Sequence, residues 1–214
     1  MAHVSQGILG GFSGTVGTVI GGHWRGIDYM RSKPIRRKSY QPTQKQIDQY
    51  NKFKLATGFA KTLAGLVDFS FKDYAVKKTG RNCCVSHILK HAITGTSPHF
   101  AINYSQVLVS QGELEPAKNA AAASAVAGQL TFTWTNNTVD GRLAKATDRA
   151  IVVAYCPALH QTMYSTTGSS RSGGLQVLDV SRFSGQDVHT YLGFISEDCE
   201  LVATSVYSGV VTIM

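Results

Sequence analysis

Cys83, His87 and His91 recur every four residues, a spacing that sets one thiol and two imidazoles on the same face of a helix. With Cys84 or His99 nearby, such a set has the chemistry to hold a divalent metal. No CxxC or HExxH pattern accompanies them, so the packing of a small buried face is the favoured reading and no metal residue is assigned. A second candidate is the glycine run between Gly7 and Gly26, which holds eight of the chain's 21 glycines. It has no Gly-Lys-Ser/Thr, and no strand precedes a GxGxxG that opens a helix, so it does not read as a phosphate loop. Glycine there is better suited to close backbone packing. Ser165, Ser169, Ser170 and Ser172 stand in a loop-like tract without a GxSxG elbow. Asn136-Asn137-Thr138 matches a glycosylation sequon and is read as a turn. No catalytic, cofactor-binding or metal-binding residue follows, no cofactor is expected, and a non-enzymatic role is.

The remaining chemistry is charge beside aromatic rings. Arg25, Arg31, Lys33, Arg36, Arg37 and Lys38, with Trp24, Tyr29 and Tyr40 among them, form a basic and aromatic run. Such a run is able to contact nucleic acid, cations on phosphates and rings on bases. The alternative is a basic surface that meets an acidic protein partner or keeps the chain in solution. The formal net charge is +8 over 214 residues. It is unevenly spread: residues 1–100 carry 15 Lys+Arg against 4 Asp+Glu, and residues 101–214 carry 6 against 9. The two halves are therefore expected to meet different partners.

Composition limits the class. A hydrophobic fraction of 43% is enough for a buried core in a chain of this length. No stretch approaches about 18 consecutive apolar residues, so no membrane insertion is expected. The opening residues lack a basic segment followed by an uninterrupted apolar one and do not resemble a secretory signal. The expectation is a chain that stays in the cell or leaves without a cleaved signal, as in a virion or surface assembly. Cys83, Cys84, Cys156 and Cys199 show no disulfide spacing and are expected to be reduced thiols.

Three regions must position these residues. Residues 1–42 are too rich in glycine for a helix, since each glycine costs about 1 kcal/mol there relative to alanine. They predict a hairpin with strands near 14–20 and 23–31 and a tight turn at Gly21-Gly22, followed by a basic connector. Alternation along the second strand places Trp24, Gly26, Asp28 and Met30 on one face and Ile27, Tyr29 and Arg31 on the other. Residues 43–103 predict a helical pair. Thr43 and Gln46 form a capping box, and Ile47, Tyr50, Phe53, Ala56, Ala60, Leu63 and Val67 make one apolar stripe. Gly80 is read as a stop, and a second helix is expected over 82–93. Residues 104–214 predict an all-β immunoglobulin-like or fibronectin-like sandwich of about seven short strands separated by turn signals such as Asp140-Gly141 and Gly173-Gly174. SQVLVS is read as its first strand. Trp134 lies in the second, without a Cys-Trp-Cys spacing, which favours the fibronectin-like variant. The fold class is α+β.

The segment from Gly10 to Pro34, with Trp24, Arg25, Gly26, Tyr29, Arg31, Ser32 and Pro34, followed by PTQKQIDQYNKF and the TFTWTNN and TDRAIVVAYCP strands, resembles an uncharacterised family widespread in Bacteroidota. Similar glycine-rich openings occur in phage and prophage proteins. The resemblance implies the three-part architecture and, since the family has no established activity, adds little chemistry. The expected function is a structural or self-assembling subunit, filament-forming if its contacts do not close. Its N-terminal strands would meet a neighbouring copy through Phe12, Val16, Val19, Trp24 and Tyr29. The alternative is a nucleic-acid-binding protein that uses the basic half.

Overall fold

Thr43 and Gln46 do set the start of the first helix. The Thr43 N–H donates to Gln46 Oε1 at 2.9 Å, the return half of a capping box, and α1 runs Gln44–Thr62. The computed structural model describes residues 3–4, 10–35, 41–138 and 143–214. The turn expected at Asp140-Gly141 lies outside them. The chain divides into two compact units, Met1–Gln46 and Ile47–Met214.

The first unit is a four-stranded antiparallel sheet in the order β1 (His3–Val4), β2 (Phe12–Val16), β3 (Val19–Trp24), β4 (Ile27–Ser32). It is a meander, and its details belong to the candidate site below.

The second unit is a sandwich with one outer face covered by helices. Its helices are α1 from Ile47 onward, α2 (Ala64–Ser70) and α3 (Gly80–His87), the last continued by a π-helical turn at Ile88–Ala92. Gly80 opens α3 rather than stopping a helix, and the Thr79 side chain caps it by accepting from the Asn82 N–H at 3.1 Å. A short hairpin follows, β5 (Ile93–Thr96) with β6 (His99–Ile102), within the 43–103 helical region but past the second helix expected over 82–93. SQVLVS is no strand. It holds the end of a 3-10 turn at Tyr104–Gln106 and irregular backbone anchored by Ser110, whose hydroxyl donates to Ala203 O at 2.8 Å.

Seven strands then build the sandwich: β7 (Lys118–Ala123), β8 (Gln129–Thr135), β9 (Arg149–Cys156), β10 (Gln161–Ser165), β11 (Leu175–Asp179), β12 (Asp187–Ile195) and β13 (Val206–Thr212). One sheet has the order β11-β8-β7 and the other β10-β9-β12-β13. The fourth strand stays beside the third instead of crossing to the sheet of the first two, which separates this sandwich from the antibody constant type. In β8, Leu130, Phe132 and Trp134 alternate inward as the period of two requires.

β9 is buried on both faces. Ala150, Val152, Ala154 and Cys156 join the core between the sheets, with Phe132, Trp134 and Phe194. Ile151, Val153 and Tyr155 join a second core under the helices, with Phe59, Leu63, Leu66 and Phe71. The helical residues and the sandwich thus share apolar contacts and form one unit, so the boundary drawn at 103/104 from sequence falls inside it. The helix stripe is only half used. Ala56, Ala60, Leu63 and Val67 are buried and joined by Phe59 and Leu66, but Tyr50 is 68% and Phe53 50% exposed. Periodicity identifies the apolar side of a helix; it does not say how far a neighbouring layer extends along it.

A buried ion pair closes one end of the inter-sheet core. Arg171, fully buried, donates from Nε to Asp148 Oδ2 at 3.0 Å, from Nη1 to Asn137 Oδ1 at 2.7 Å and from Nη2 to Glu115 O at 3.0 Å. Its guanidinium lies 3.9 Å from the Phe194 ring centre, and its carbonyl accepts from Trp134 Nε1 at 2.7 Å. Burial pushes the guanidinium pKa below its usual value, and the carboxylate of Asp148 opposes that. Among the described residues, no helix is long and apolar enough to cross a membrane.

Candidate functional site

The first unit is built around its glycines, though not as the sequence suggests. The turns fall at Gly17-Thr18 and Arg25-Gly26, since Val16 pairs with Val19 and Trp24 with Ile27. Arg25 and Gly26 both take positive φ, 47° and 80°, as a tight two-residue hairpin turn demands. Gly21-Gly22, the expected turn, lies instead within β3. A Cβ on Gly21 would meet the Phe12 carbonyl oxygen first and the Phe12 ring at 2.6 Å, and one on Gly22 the Tyr29 ring at 2.7 Å. The two glycines are the seats of two aromatic rings, one on each face.

Moving the turn changes which residues share a face. Directly paired residues in an antiparallel sheet lie on the same side, so Trp24, Ile27, Tyr29 and Arg31 stand together with Ile20. Phe12, Val16, Val19 and Met30 occupy the other side. The alternation drawn from sequence put Trp24 opposite Tyr29; the turn between them restores them to one face. The five proposed assembly residues are therefore split, Phe12, Val16 and Val19 on one side, Trp24 and Tyr29 on the other.

Neither side covers a core. Among the described residues of this unit, only the glycine at position 21 is buried, so no side chain is. All six residues of β4 are exposed, Trp24 is 53% and Met30 72% accessible, and among the described residues no core side chain precedes Ala56. Among the described residues, no strand pairs with the outer edge of β4 either. Lys33 N–H donates to Thr18 O at 2.7 Å. Counting back by the alternation of antiparallel pairing, Arg31, Tyr29 and Ile27 bond inward to β3, while Asp28, Met30 and Ser32 turn their N–H and C=O groups outward.

The basic residues divide likewise. Arg31 stands on the face of Trp24 and Tyr29, Arg25 is in the turn, and Lys33 follows β4. His23 and Asp28 pair across the strands at 2.7 Å. Arg36, Arg37, Lys38 and Tyr40 lie outside the described residues. Seven Lys+Arg against one Asp give Met1–Gln46 a balance of +6, most of the chain's charge.

The Cys-His spacing resolves into packing. His87 and His91 rings are 4.8 Å apart, and the buried Cys83 thiol donates to Tyr74 O at 3.2 Å. Burial pushes the Cys84 thiol up to about 12, so it is no thiolate at neutral pH. Among the described residues, no three His, Cys, Asp or Glu side chains gather closely enough for a metal ion. Sequence reasoning passed over two features. Arg171 was hidden in the serine tract. An aromatic chain links Phe59, Tyr155, Tyr104 and His189, with centre separations of 4.7, 5.3 and 4.2 Å.

A model described as "Family of unknown function (DUF6266)" matches residues 11–209. The chain belongs to that family. The DUF6266 match takes in β2 to β4, every helix and the sandwich as far as β13. Among solved structures, the chain is similar to the fn3 domain of human collagen alpha-1(XX) chain, at 14% identity over 56% of this chain and 92% of that one, with a TM-score of 0.35. No curated protein matches the sequence.

His189 is expected to make the stability of this DUF6266 chain depend on pH. Its Nδ1 lies 2.8 Å from Tyr207 Oη, its ring lies against Tyr104, and burial pushes its pKa below the ordinary 6.5, with Asp187 opposing. His87 is shifted the same way, first by burial and then by His91. The unfolded chain therefore takes up these protons at higher pH than the folded chain, so stability falls as pH drops below the ordinary histidine value and stops falling below the folded one. The urea midpoint is expected to decline as the pH falls through the ordinary histidine value of about 6.5, and His189→Gln to flatten part of that slope. An unchanged slope would remove His189 from the account.

Proposed function

We propose that this protein is a non-enzymatic, self-assembling structural subunit whose N-terminal sheet completes itself on a neighbouring copy. The observation that supports the reading is the sheet without a core: both faces carry exposed apolar side chains, and β4 presents an open edge at Asp28, Met30 and Ser32. A two- to four-stranded sheet of this kind gains little by itself in water. Strand addition supplies backbone hydrogen bonds along the edge and apolar contacts from Phe12, Val16, Val19, Trp24 and Tyr29. A head-to-tail contact that does not close gives a filament, and a virion or surface assembly fits the same geometry.

The test uses the outward N–H of Met30. Met30→Pro removes that donor and obstructs a strand docking there, while the bonds to β3 are untouched because they belong to Tyr29 and Arg31. The wild type is expected to run above monomer mass in light scattering and Met30→Pro to associate about tenfold or more weakly, with an unchanged circular dichroism spectrum. A wild type that stays monomeric at high concentration, or a variant that assembles equally well, would sink the idea.

A second reading rests on the shared face of Trp24, Tyr29 and Arg31, where two exposed rings and a cation stand side by side. Such a face suits single-stranded nucleic acid. It predicts retention of RNA or DNA that weakens steeply with salt and is lost in Trp24→Ala, with assembly unaffected by nuclease.

A further inference from the structure

Gly58 stands inside α1, where glycine weakens a helix, yet a Cβ there would meet no described atom within 4 Å beyond its neighbours and the adjoining helix backbone. The fold's own packing does not ask for glycine at this position. Gly58 opens onto a cleft of about 650 Å³ within the second unit, walled by α1, the β5–β6 hairpin and the turn between β9 and β10. The walls are fixed to each other: Ser97 on the hairpin donates to Asp48 Oδ1 on α1 at 2.6 Å.

The lining is aromatic and, at its mouth, positive. Phe59 and Tyr155 form the floor, edge to face at 4.7 Å, with Tyr104 beside Tyr155. Phe100 forms a side wall whose ring carries the Lys52 ammonium at 4.7 Å. Lys54 and Asn51 stand one and two turns before Gly58 on the same side of α1, and among the described residues no carboxylate pairs with Lys54. Among the described residues, no acidic side chain lines the cleft. His160 closes it from the turn, held at φ 50°, with Nδ1 3.5 Å from Tyr155 Oη. Burial and the neighbouring Tyr104 raise the Tyr155 pKa, so its hydroxyl keeps its proton.

We propose that this cleft binds a flat aromatic ring bearing an anionic group, the ring against the aromatic wall over Gly58 and the anion at Lys54 and Asn51. The volume fits one small molecule, rings stack on rings, and a cation at the mouth without a carboxylate selects the charge. Two sources share this chemistry, a small aromatic acid and a nucleoside monophosphate.

Calorimetric titration of the full chain distinguishes them. The probes are indoleacetate against indole, and adenosine monophosphate against adenosine. At least one anionic probe is expected to bind in the micromolar to millimolar range, about tenfold or more tightly than its uncharged counterpart; which one binds names the source. Lys54→Gln, a surface change, should abolish that preference. Gly58→Leu should abolish binding, and Gly58→Ala should weaken it while raising the thermal midpoint. The proposal falls if neither anion binds at millimolar concentration, if the uncharged rings bind equally well, if Lys54→Gln leaves the preference intact, or if Gly58→Ala lowers the midpoint.

Discussion

Arg171→Ala is expected to lower unfolding free energy by about 3–5 kcal/mol, because it leaves the Asp148 carboxylate buried without its cation. In a domain whose whole stability is of the order of 5–15 kcal/mol, that is a large share. The side chain also fills the end of the core against Phe194 and satisfies Asn137 and the Glu115 carbonyl. Arg171→Lys should recover little, since one ammonium cannot reach three acceptors in the plane that a guanidinium spans. Arg171→Met combined with Asp148→Asn should cost less than the two single changes added together, because no unpaired charge is left behind. Urea denaturation followed by Trp134 fluorescence in a Trp24→Phe background measures all five variants, the two singles and their double included. A loss below about 1 kcal/mol for Arg171→Ala would mean that water replaces the guanidinium.

Phe59→Ala comes next in size, at about 3–5 kcal/mol, the usual cost of removing a buried aromatic side chain. Phe59 is 2% exposed and sits edge-on to Tyr155, so it joins α1 to the sheet through one contact. The informative outcome is where the loss is felt. Helix content by circular dichroism and Trp134 fluorescence should shift together to one lower midpoint, since the helices and sandwich share a core. Helix loss that leaves the Trp134 transition in place would show that the helices are a separate cooperative unit after all.

The sandwich was legible because its strands carry their burial in their own spelling. Leu130, Phe132 and Trp134 alternate, and the apolar run of β9 announces a strand covered on both sides. The capping box at Thr43 is equally local, a bond between residues three apart. What escaped was decided at a distance. A Gly-Gly pair meets the demands of a tight turn and those of a ring seat equally well, and only Phe12 and Tyr29, placed by the register, settle which applies. Arg171 looks like a loop cation until Asp148, Asn137 and Phe194 close over it. Tyr50 and Phe53 share the spacing of buried positions without the neighbour that would bury them. The candidate cleft draws residues from three separate elements, and no spacing along the chain foreshadows their meeting.

β9 shows how a strand keeps its place when polarity offers no guide. Most half-buried strands are held in register because a slip by one residue would push apolar groups into water. β9 would lose nothing by that criterion, since either side receives apolar groups. It is ordered by size instead. The positions between the sheets are Ala150, Val152, Ala154 and Cys156, and those toward the helices are Ile151, Val153 and Tyr155. A slip would drive a phenol ring into the narrow layer between the sheets and leave the space beside Phe59 to a methyl or a thiol. Overfilling one layer and emptying the other both carry a cost. Bulk, graded along a uniformly apolar strand, is the information that aligns the centre of this protein.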